Sequence, residues 1–193
     1  MSTTPRILVF GGSLRRGSFN QQLAQLAAEG AREAGAEVTL IALRDFPMPI
    51  YDGDLEEAEG KPEHAARLKK LFSEHQGLII SSPEYNSSIS GALKNAIDWV
   101  SRSDSDDEKA LSALAGKTAV LCSASPGALG GLRGLVHLRA ILGNIGINVL
   151  PPQVAVSKAH EFFKADGTHS DEKQANAVKE LGRTLAEHLK KVL

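Results

Sequence analysis

The sequence predicts an α/β fold: a doubly wound, five-stranded parallel sheet with helices on both faces, which makes a three-layer sandwich. Three observations support this prediction. Apolar runs of strand length alternate with segments in which apolar residues recur at helical spacing. The predicted strand over 78–82 starts with a continuous apolar run, Leu78-Ile79-Ile80, as is typical of a parallel strand covered on both faces. The connections are long enough for crossover helices, so neighbouring strands should be parallel and the crossovers right-handed.

Strands and helices are predicted to alternate along the whole chain. The strands are expected over 7–10, 38–43, 78–82, 117–122 and 147–150. The helices are expected over 18–34, 63–75, 90–100, 132–142 and 171–193. Pro151-Pro152 is predicted to interrupt the last strand, which continues over 154–156.

Start and stop signals define the first helix. Ser18 and Gln21 resemble a capping box, and Gly35 is a C-terminal stop. After the second strand, the segment 46–54 is too rich in proline for a regular element and too apolar for a solvated loop. We therefore expect an ordered loop over the carboxyl edge of the sheet. The acidic segment 55–60 is predicted to be a mobile connection.

Similar signals place the later helices. Pro62 suits the first turn of the second helix, and Ser90 is a predicted cap of the third. The acidic segment 101–109 is predicted to be a solvated linker. Gly143 and Gly146 are expected to end the fourth helix.

Composition and charge restrict the function. The chain has 193 residues, of which 42% are hydrophobic, and a net charge of −1. This length predicts one globular domain over 1–193. The near-neutral charge disfavours a nucleic-acid-binding protein and mildly disfavours an electron carrier that docks through an acidic surface. No apolar run approaches the ~18 residues of a membrane helix and no leader-like segment is visible, so a cytoplasmic protein is expected.

The reactive side chains indicate neither a metal site nor a hydrolase. The six histidines show no metal-ligand spacing. Ser123 and Ser125 follow a predicted strand, but no partner histidine is visible in the sequence. The single cysteine, Cys122, cannot form an internal disulfide and ends an apolar run, where a buried, inert thiol is expected.

The most informative stretch is the loop over 11–20. It lies between the first strand and the first helix, where unpaired N–H groups and the positive end of the helix dipole bind anions. Several side-chain donors surround this point, namely Ser13, Arg15, Arg16, Ser18 and Asn20. Hydroxyl, amide and guanidinium donors together suit a terminal phosphate. The loop is therefore predicted to hold the phosphate of a nucleotide-type cofactor.

Other interpretations of this loop fit less well. Gly12 and Gly17 have the spacing of a P-loop, but Ser18 stands where that motif requires lysine. The sequence Gly11-Gly12-Ser13 also lacks the G-x-G-x-x-G pattern of a dinucleotide site. The remaining alternative is a polar turn before a well-capped helix.

Two further loops are predicted to converge on the same edge. For the strand order 2-1-3-4-5, the topological switch point lies between strands one and three, where open α/β sheets bind ligands. The loop over 83–91 offers hydrogen-bonding groups and one aromatic ring, Tyr85. The loop over 123–131 follows strand four. Glu84 is either a general base or a residue that acts through its backbone, and its place in the loop favours the second role.

Three motifs together resemble those of a known family. They are the Gly-Ser-x-Arg-x-x-Ser-x-Asn pattern over 12–20, Pro-Glu-Tyr-Asn over 83–86, and Gly130-Gly131. On these motifs the chain resembles the NADPH-dependent FMN reductases of the flavodoxin-like superfamily, including chromate- and quinone-reducing members. The resemblance extends roughly over residues 6–160.

The resemblance implies a non-covalently bound FMN. The loop over 11–20 would hold its phosphate, the segment 83–86 would hold the isoalloxazine, and Ser123 would close the dimethylbenzene or ribityl side. Pro126 removes a backbone donor from the third loop, which leaves open how that loop meets the ring or NADPH. The implied cofactor-binding residues are Ser13, Leu14, Arg15, Ser18, Phe19, Asn20, Pro83, Glu84, Tyr85, Asn86 and Ser123.

The implied activity is a hydride relay from NAD(P)H through FMN to a small-molecule electron acceptor such as a quinone, free flavin, azo compound or chromate. The chemistry belongs to the cofactor, so no catalytic side chain is predicted. Arg15 and Arg16 are candidates to attract the extra phosphate of NADPH. Members of this family are homodimers, sometimes homotetramers, and the helix over 132–142 carries a wider apolar stripe than one sheet face requires.

Two other function classes remain as alternatives. One is a non-enzymatic flavodoxin-type electron carrier, which the near-neutral charge disfavours. The other is a phosphate-binding module without a redox role. Bound flavin and turnover of NADPH would distinguish the three.

Overall fold

The computed structural model describes residues 4–164, 166 and 168–193. The sequence also predicts a turn at Asp166-Gly167, and Gly167 lies outside the described residues. The strands are β1 (Arg6–Gly11), β2 (Glu37–Ala42), β3 (Gly77–Ser81), β4 (Glu84–Tyr85), β5 (Ser88–Ile89), β6 (Thr118–Ala124) and β7 (Asn148–Val156). The helices are α1 (Phe19–Glu33), α2 (Gly53–Glu59), α3 (Glu63–Glu74), α4 (Gly91–Val100), α5 (Leu132–Asn144), α6 (Ala159–Phe162) and α7 (Glu172–Val192).

The main sheet has five parallel strands in the order β2-β1-β3-β6-β7. Strands β4 and β5 form a separate antiparallel hairpin. Without that hairpin, the order along the chain is 2-1-3-4-5, so the predicted topology is confirmed. The carboxyl ends of β1, β3 and β6 therefore lie side by side at one edge.

Two apolar cores cover the two faces of the sheet. Alternate residues of β1 divide between them, because Ile7 and Val9 lie in one core and Leu8 and Phe10 in the other. The first core contains the inner faces of α1 and α7, and the second those of α3, α4 and α5. This is the predicted three-layer arrangement.

Helices α1 and α7 are in very close contact. A Cβ atom built on Gly182 would lie 1.9 Å from the carbonyl oxygen of Ala27, and one on Gly30 would lie 1.9 Å from that of Lys179. Only glycine allows two helix backbones to approach this closely.

The acidic segment predicted to be a mobile connection is a short helix, so that prediction is wrong. Helix α2 spans Gly53–Glu59 and contains no buried residue. Asp52 caps it, since its carboxylate accepts a hydrogen bond from the Asp54 amide at 2.9 Å. Acidic residues in the first turn also interact favourably with the helix dipole.

The two prolines do not interrupt the last strand. Strand β7 is continuous, but its pairing with β6 shifts from Ala119 opposite Val149 to Leu121 opposite Gln153. The prolines lie in this irregularity on an edge strand, where a missing N–H is tolerated. Helix α5 likewise passes through Gly143.

The segment over 101–109 is largely exposed, as predicted for a solvated linker, but it is also held by ion pairs that were not predicted. The buried Lys69 Nζ lies 2.6 Å from Glu108 Oε2 and 3.0 Å from Asp104 Oδ2, and Lys61 also pairs with Asp104. Hydrogen bonds from Lys69 and Ser112 lower the pKa of Glu108 to about 2. These pairs attach the segment to α3.

Candidate functional site

Three loops meet in a cleft at the carboxyl edge of the sheet. They follow β1, β3 and β6, as predicted. The residues that line this cleft are Ser13, Arg15, Ser18, Phe19, Asn20, Pro83, Glu84, Tyr85, Ala124, Ser125 and Pro126. Eight of the eleven predicted cofactor-binding residues are thus brought together. Leu14, Asn86 and Ser123 do not line the cleft.

Gln21 positions the first loop. Its Oε1 accepts a hydrogen bond from the Gly11 amide at 3.0 Å, and its Nε2 donates to the Ile41 carbonyl at 2.9 Å. The predicted capping box is therefore only half formed: Ser18 Oγ accepts a 3.4 Å hydrogen bond from the Gln21 amide, but the Gln21 side chain does not return to Ser18. Gly11 is needed here, because a Cβ atom would lie 2.8 Å from the Gln21 nitrogen.

The first loop presents donors to the cleft. Ser13 and Ser18 are nearly buried, and each has an Oγ that accepts a backbone hydrogen bond. Among the described residues, neither hydroxyl donates a hydrogen bond and Arg15 pairs with no carboxylate. Two hydroxyl protons, a guanidinium and the N-terminus of α1 therefore remain available for an anion.

Asn20 joins the three loops. Its Oδ1 accepts hydrogen bonds from Ser81 Oγ at 2.9 Å and from the Ala124 amide at 3.0 Å, and its Nδ2 donates to the Ala124 carbonyl at 2.8 Å. One amide hydrogen of Nδ2 is left over. Asn20 thus holds the ends of β3 and β6 against α1, a structural role that its position in the motif did not reveal.

The second loop is a tight hairpin over 84–89. Asn86 and Ser87 both have positive φ, at 52° and 65°, as in a type I′ turn. Asn86 lies at the turn, while Tyr85 lines the cleft with 48% of its surface exposed. An aromatic ring held on a short hairpin can cover a flat ligand. Ser90 follows the hairpin and caps α4, and its Oγ donates to the Gly12 carbonyl of the first loop.

The Glu84 side chain is turned to helix α5. Its carboxylate accepts hydrogen bonds from the amides of Arg133 and Gly134 and from the Arg133 guanidinium. Burial alone would raise the pKa of Glu84, but these hydrogen bonds outweigh it and lower the pKa below its usual value. The carboxylate is ionised and fully paired, which does not suit a general base.

The third loop meets the cleft one residue later than expected. Ser123 is fully buried and its Oγ donates to the Gly130 carbonyl at 2.7 Å. Ala124, Ser125 and Pro126 line the cleft instead. The predicted strand ends at 122, whereas β6 reaches Ala124, so Ser123 lies within the buried strand.

A second, apolar groove lies beside the cleft. Leu14 lines it together with Phe46, Pro47, Met48 and Asn95. The segment over 46–54 is held there by two hydrogen bonds to the Pro49 carbonyl, from Asn95 Nδ2 at 2.9 Å and from Trp99 Nε1 at 2.8 Å.

Residues 4–164, 166 and 168–193 contain no cluster of three or more His, Cys, Asp or Glu side chains that could hold a metal ion. In the same part of the chain, no helix has both the length and the apolar character needed to cross a membrane. Cys122 is buried, and burial raises the pKa of its thiol to about 12.

The chain resembles known reductases in sequence. The family described as NADPH-dependent FMN reductase matches residues 5–161. A quinone reductase of Escherichia coli (strain K12) is 37% identical over 142 residues, which cover 74% of this chain and 71% of the relative. An NAD(P)H-dependent FMN reductase of Pseudomonas aeruginosa is 33% identical over 181 residues, which cover 93% and 92%.

Solved structures agree with this assignment. FerB, a flavoenzyme NAD(P)H:(acceptor) oxidoreductase from Paracoccus denitrificans, has a TM-score of 0.80 at 28% identity, covering 97% of this chain and 98% of FerB. An archaeal flavodoxin has a TM-score of 0.63 at 13% identity, covering 96% and 99%, which bears on the fold alone. The chain therefore belongs to the NADPH-dependent FMN reductase family of oxidoreductases, and its fold is flavodoxin-like.

Proposed function

We propose that this protein is a single-domain FMN enzyme that passes hydride from NAD(P)H through bound FMN to a small-molecule acceptor. A quinone, free flavin, an azo compound and chromate are the acceptors we would test. The observation that carries the proposal is the convergence of anion-binding donors and an aromatic ring in one cleft at the switch point.

The chemistry of the lining residues fits FMN. A phosphate dianion matches the N-terminus of α1, together with the hydroxyl protons of Ser13 and Ser18 and the Arg15 guanidinium, which no other group of the described residues uses. Tyr85 and Pro83 supply an apolar face for a flat ring. The backbone from Ala124 onward would border the remaining side of the cofactor, where Pro126 offers no N–H.

The protein's part in the reaction is binding and orientation. Bound FMN would supply the hydride-transfer chemistry. The loop over 11–20 anchors the phosphate end, and the hairpin over 84–89 limits the position of the ring. Glu84 is already paired with Arg133, so we do not assign it a role as a general acid or base.

The exposed apolar residues of α5 support a homodimer or homotetramer. Leu132 and Val136 have 43% and 60% of their surface exposed, so part of the predicted apolar stripe faces away from the core. The low cysteine content is consistent with a cytoplasmic location.

Arg16 is our candidate for recognition of the NADPH phosphate. An unchanged NADPH/NADH preference in Arg16→Ala would remove it from that role.

An anaerobic absorbance experiment tests the proposal. Purified protein is supplied with FMN, then NADPH, then a quinone. We expect NADPH to bleach the bound flavin and the quinone to restore its colour. Bound flavin that NADPH cannot reduce would identify an electron carrier instead, and protein that takes up no FMN would refute the cofactor. Arg32→Ala, at the far end of α1, serves as the matched control for Arg15→Ala, which should weaken FMN binding.

A further inference from the structure

The N-terminus of helix α5 is capped from a distant part of the chain. Gly131, which precedes the helix, has no side chain and a φ of 89°, so it provides no side-chain cap. Glu84 takes this place. Its Oε2 lies 3.0 Å from the Arg133 amide nitrogen and 3.2 Å from that of Gly134. The first N–H groups of a helix have no partner within the helix. Here two of them donate hydrogen bonds to the hairpin over 84–89.

The same carboxylate carries an ion pair. Arg133 Nε lies 2.8 Å from Glu84 Oε1, and Arg133 Nη2 bonds to the same oxygen. The Glu84 side chain is only 8% exposed. Its charge is therefore balanced by a guanidinium and by the positive end of α5, and loss of these partners would leave a poorly solvated carboxylate.

Close packing reinforces the attachment of the hairpin to α5. A Cβ atom on Gly134 would lie 3.2 Å from the Ser88 carbonyl oxygen, so glycine allows the hairpin to lie directly on the first turn. One turn later, His137 Nδ1 lies 2.9 Å from Ser88 Oγ. The hairpin and the start of α5 therefore form one packed unit.

We propose that Glu84 is a positioning residue, whose carboxylate fixes the hairpin on α5 and so sets the place of the Tyr85 ring in the flavin site. Successive side chains of a strand point to opposite sides, so a Glu84 side chain held on α5 directs that of Tyr85 away from it. Glu84 acts through Tyr85 and does not touch the reacting atoms. This inference rests on the proposed function, which places Tyr85 beside FMN.

Hydrogen exchange in the FMN-free protein tests the attachment. In Glu84→Ala, the amides of the hairpin and of Arg133 and Gly134 should exchange about tenfold faster, because a hydrogen bond to a charged group is lost. Glu84→Gln keeps an acceptor and should recover part of the protection. Glu33→Ala, which removes a carboxylate that pairs across α1 and α7, is the control and should leave the hairpin unchanged.

FMN binding tests the consequence for the site. In Glu84→Ala, the Kd for FMN should rise about tenfold and the visible circular dichroism of the bound flavin should change, with partial rescue in Glu84→Gln. If Glu84→Ala does not fold, Arg133→Met replaces it; this variant keeps both backbone bonds to the carboxylate and should show a smaller change in the same direction.

The outcomes separate this inference from the proposed function. Unchanged exchange in the hairpin of Glu84→Ala would overturn the attachment. Faster exchange with an unchanged Kd and an unchanged flavin spectrum would overturn the positioning role. A wild-type protein that binds no FMN would instead refute the proposed function. The exchange measurement would still test the attachment of the hairpin to α5, because it uses the FMN-free protein.

Discussion

Replacing Gly182 by alanine should destabilise the protein, although alanine is the better helix former. The added Cβ atom would lie 1.9 Å from the Ala27 carbonyl oxygen and 2.8 Å from the Ala31 nitrogen. Both are backbone atoms of α1, so no side chain can turn away to make room. The two helices would have to separate over their whole contact.

The size of the effect follows from this overlap. A carbon and an oxygen in contact lie about 3.3 Å apart, so the helices would have to move by about 1.4 Å. Overpacking of this kind costs about 3 kcal/mol, whereas alanine regains about 1 kcal/mol of helix propensity. The expected net loss is about 2 kcal/mol, which lowers the Tm of a chain of this length by about 4–8 °C.

Thermal unfolding followed by circular dichroism measures this change. Gly143→Ala is the matched control, because Gly143 also lies in a helix, and apart from its own helix backbone and chain neighbours no atom of the described residues lies within 4 Å of the place that its Cβ would take. That variant should keep the wild-type Tm or raise it slightly, because alanine in a helix adds up to about 1 kcal/mol to the free energy of unfolding. A Gly182→Ala protein with the Tm of the wild type would refute the close contact of α1 and α7.

Three further predictions concern buried polar groups. His75 is buried between Leu71 and Thr39, and burial lowers its pKa. The unfolded state therefore binds more protons than the folded state near the pKa of an unburied histidine. In urea denaturation, the free energy of unfolding should fall as the pH drops below about 6.5. This fall should be less steep in His75→Gln. Lys69→Met should remove the ion pair of Glu108 and speed proteolysis within 101–109, while Lys70→Met, at an exposed position, should not. Native Cys122 should react with a thiol reagent only as fast as the protein unfolds, and rapid labelling would contradict its burial.

The fold was predictable because its signals are local and repeated. Apolar runs, the Ser18 and Ser90 caps and the length of the connections are all visible in the sequence, and together they specify a parallel sheet. The acidic helix α2 was missed because it buries nothing and so has no apolar stripe. The ion pairs of Lys69 were missed because they join α3 to a segment more than thirty residues away.

The cleft was predictable in outline but not in its internal contacts. Sequence order and strand order bring the three loops together, and eight predicted residues do line the cleft. The roles of Asn20 and Glu84 depend on partners about 100 and 50 residues away, which no local pattern reveals. Leu14 and Ser123 do not line the cleft, because neighbours in a loop or strand face different sides.

The most direct test of the central claim compares FMN with riboflavin, which lacks only the phosphate. Fluorescence titration gives the Kd of each flavin for the wild-type protein. If Ser13, Ser18 and Arg15 hold the phosphate, FMN should bind at least about a hundredfold more tightly, since hydrogen bonds to charged groups contribute about 1.5–3 kcal/mol each. Inorganic phosphate should weaken FMN binding. Equal affinities for FMN and riboflavin would contradict the account.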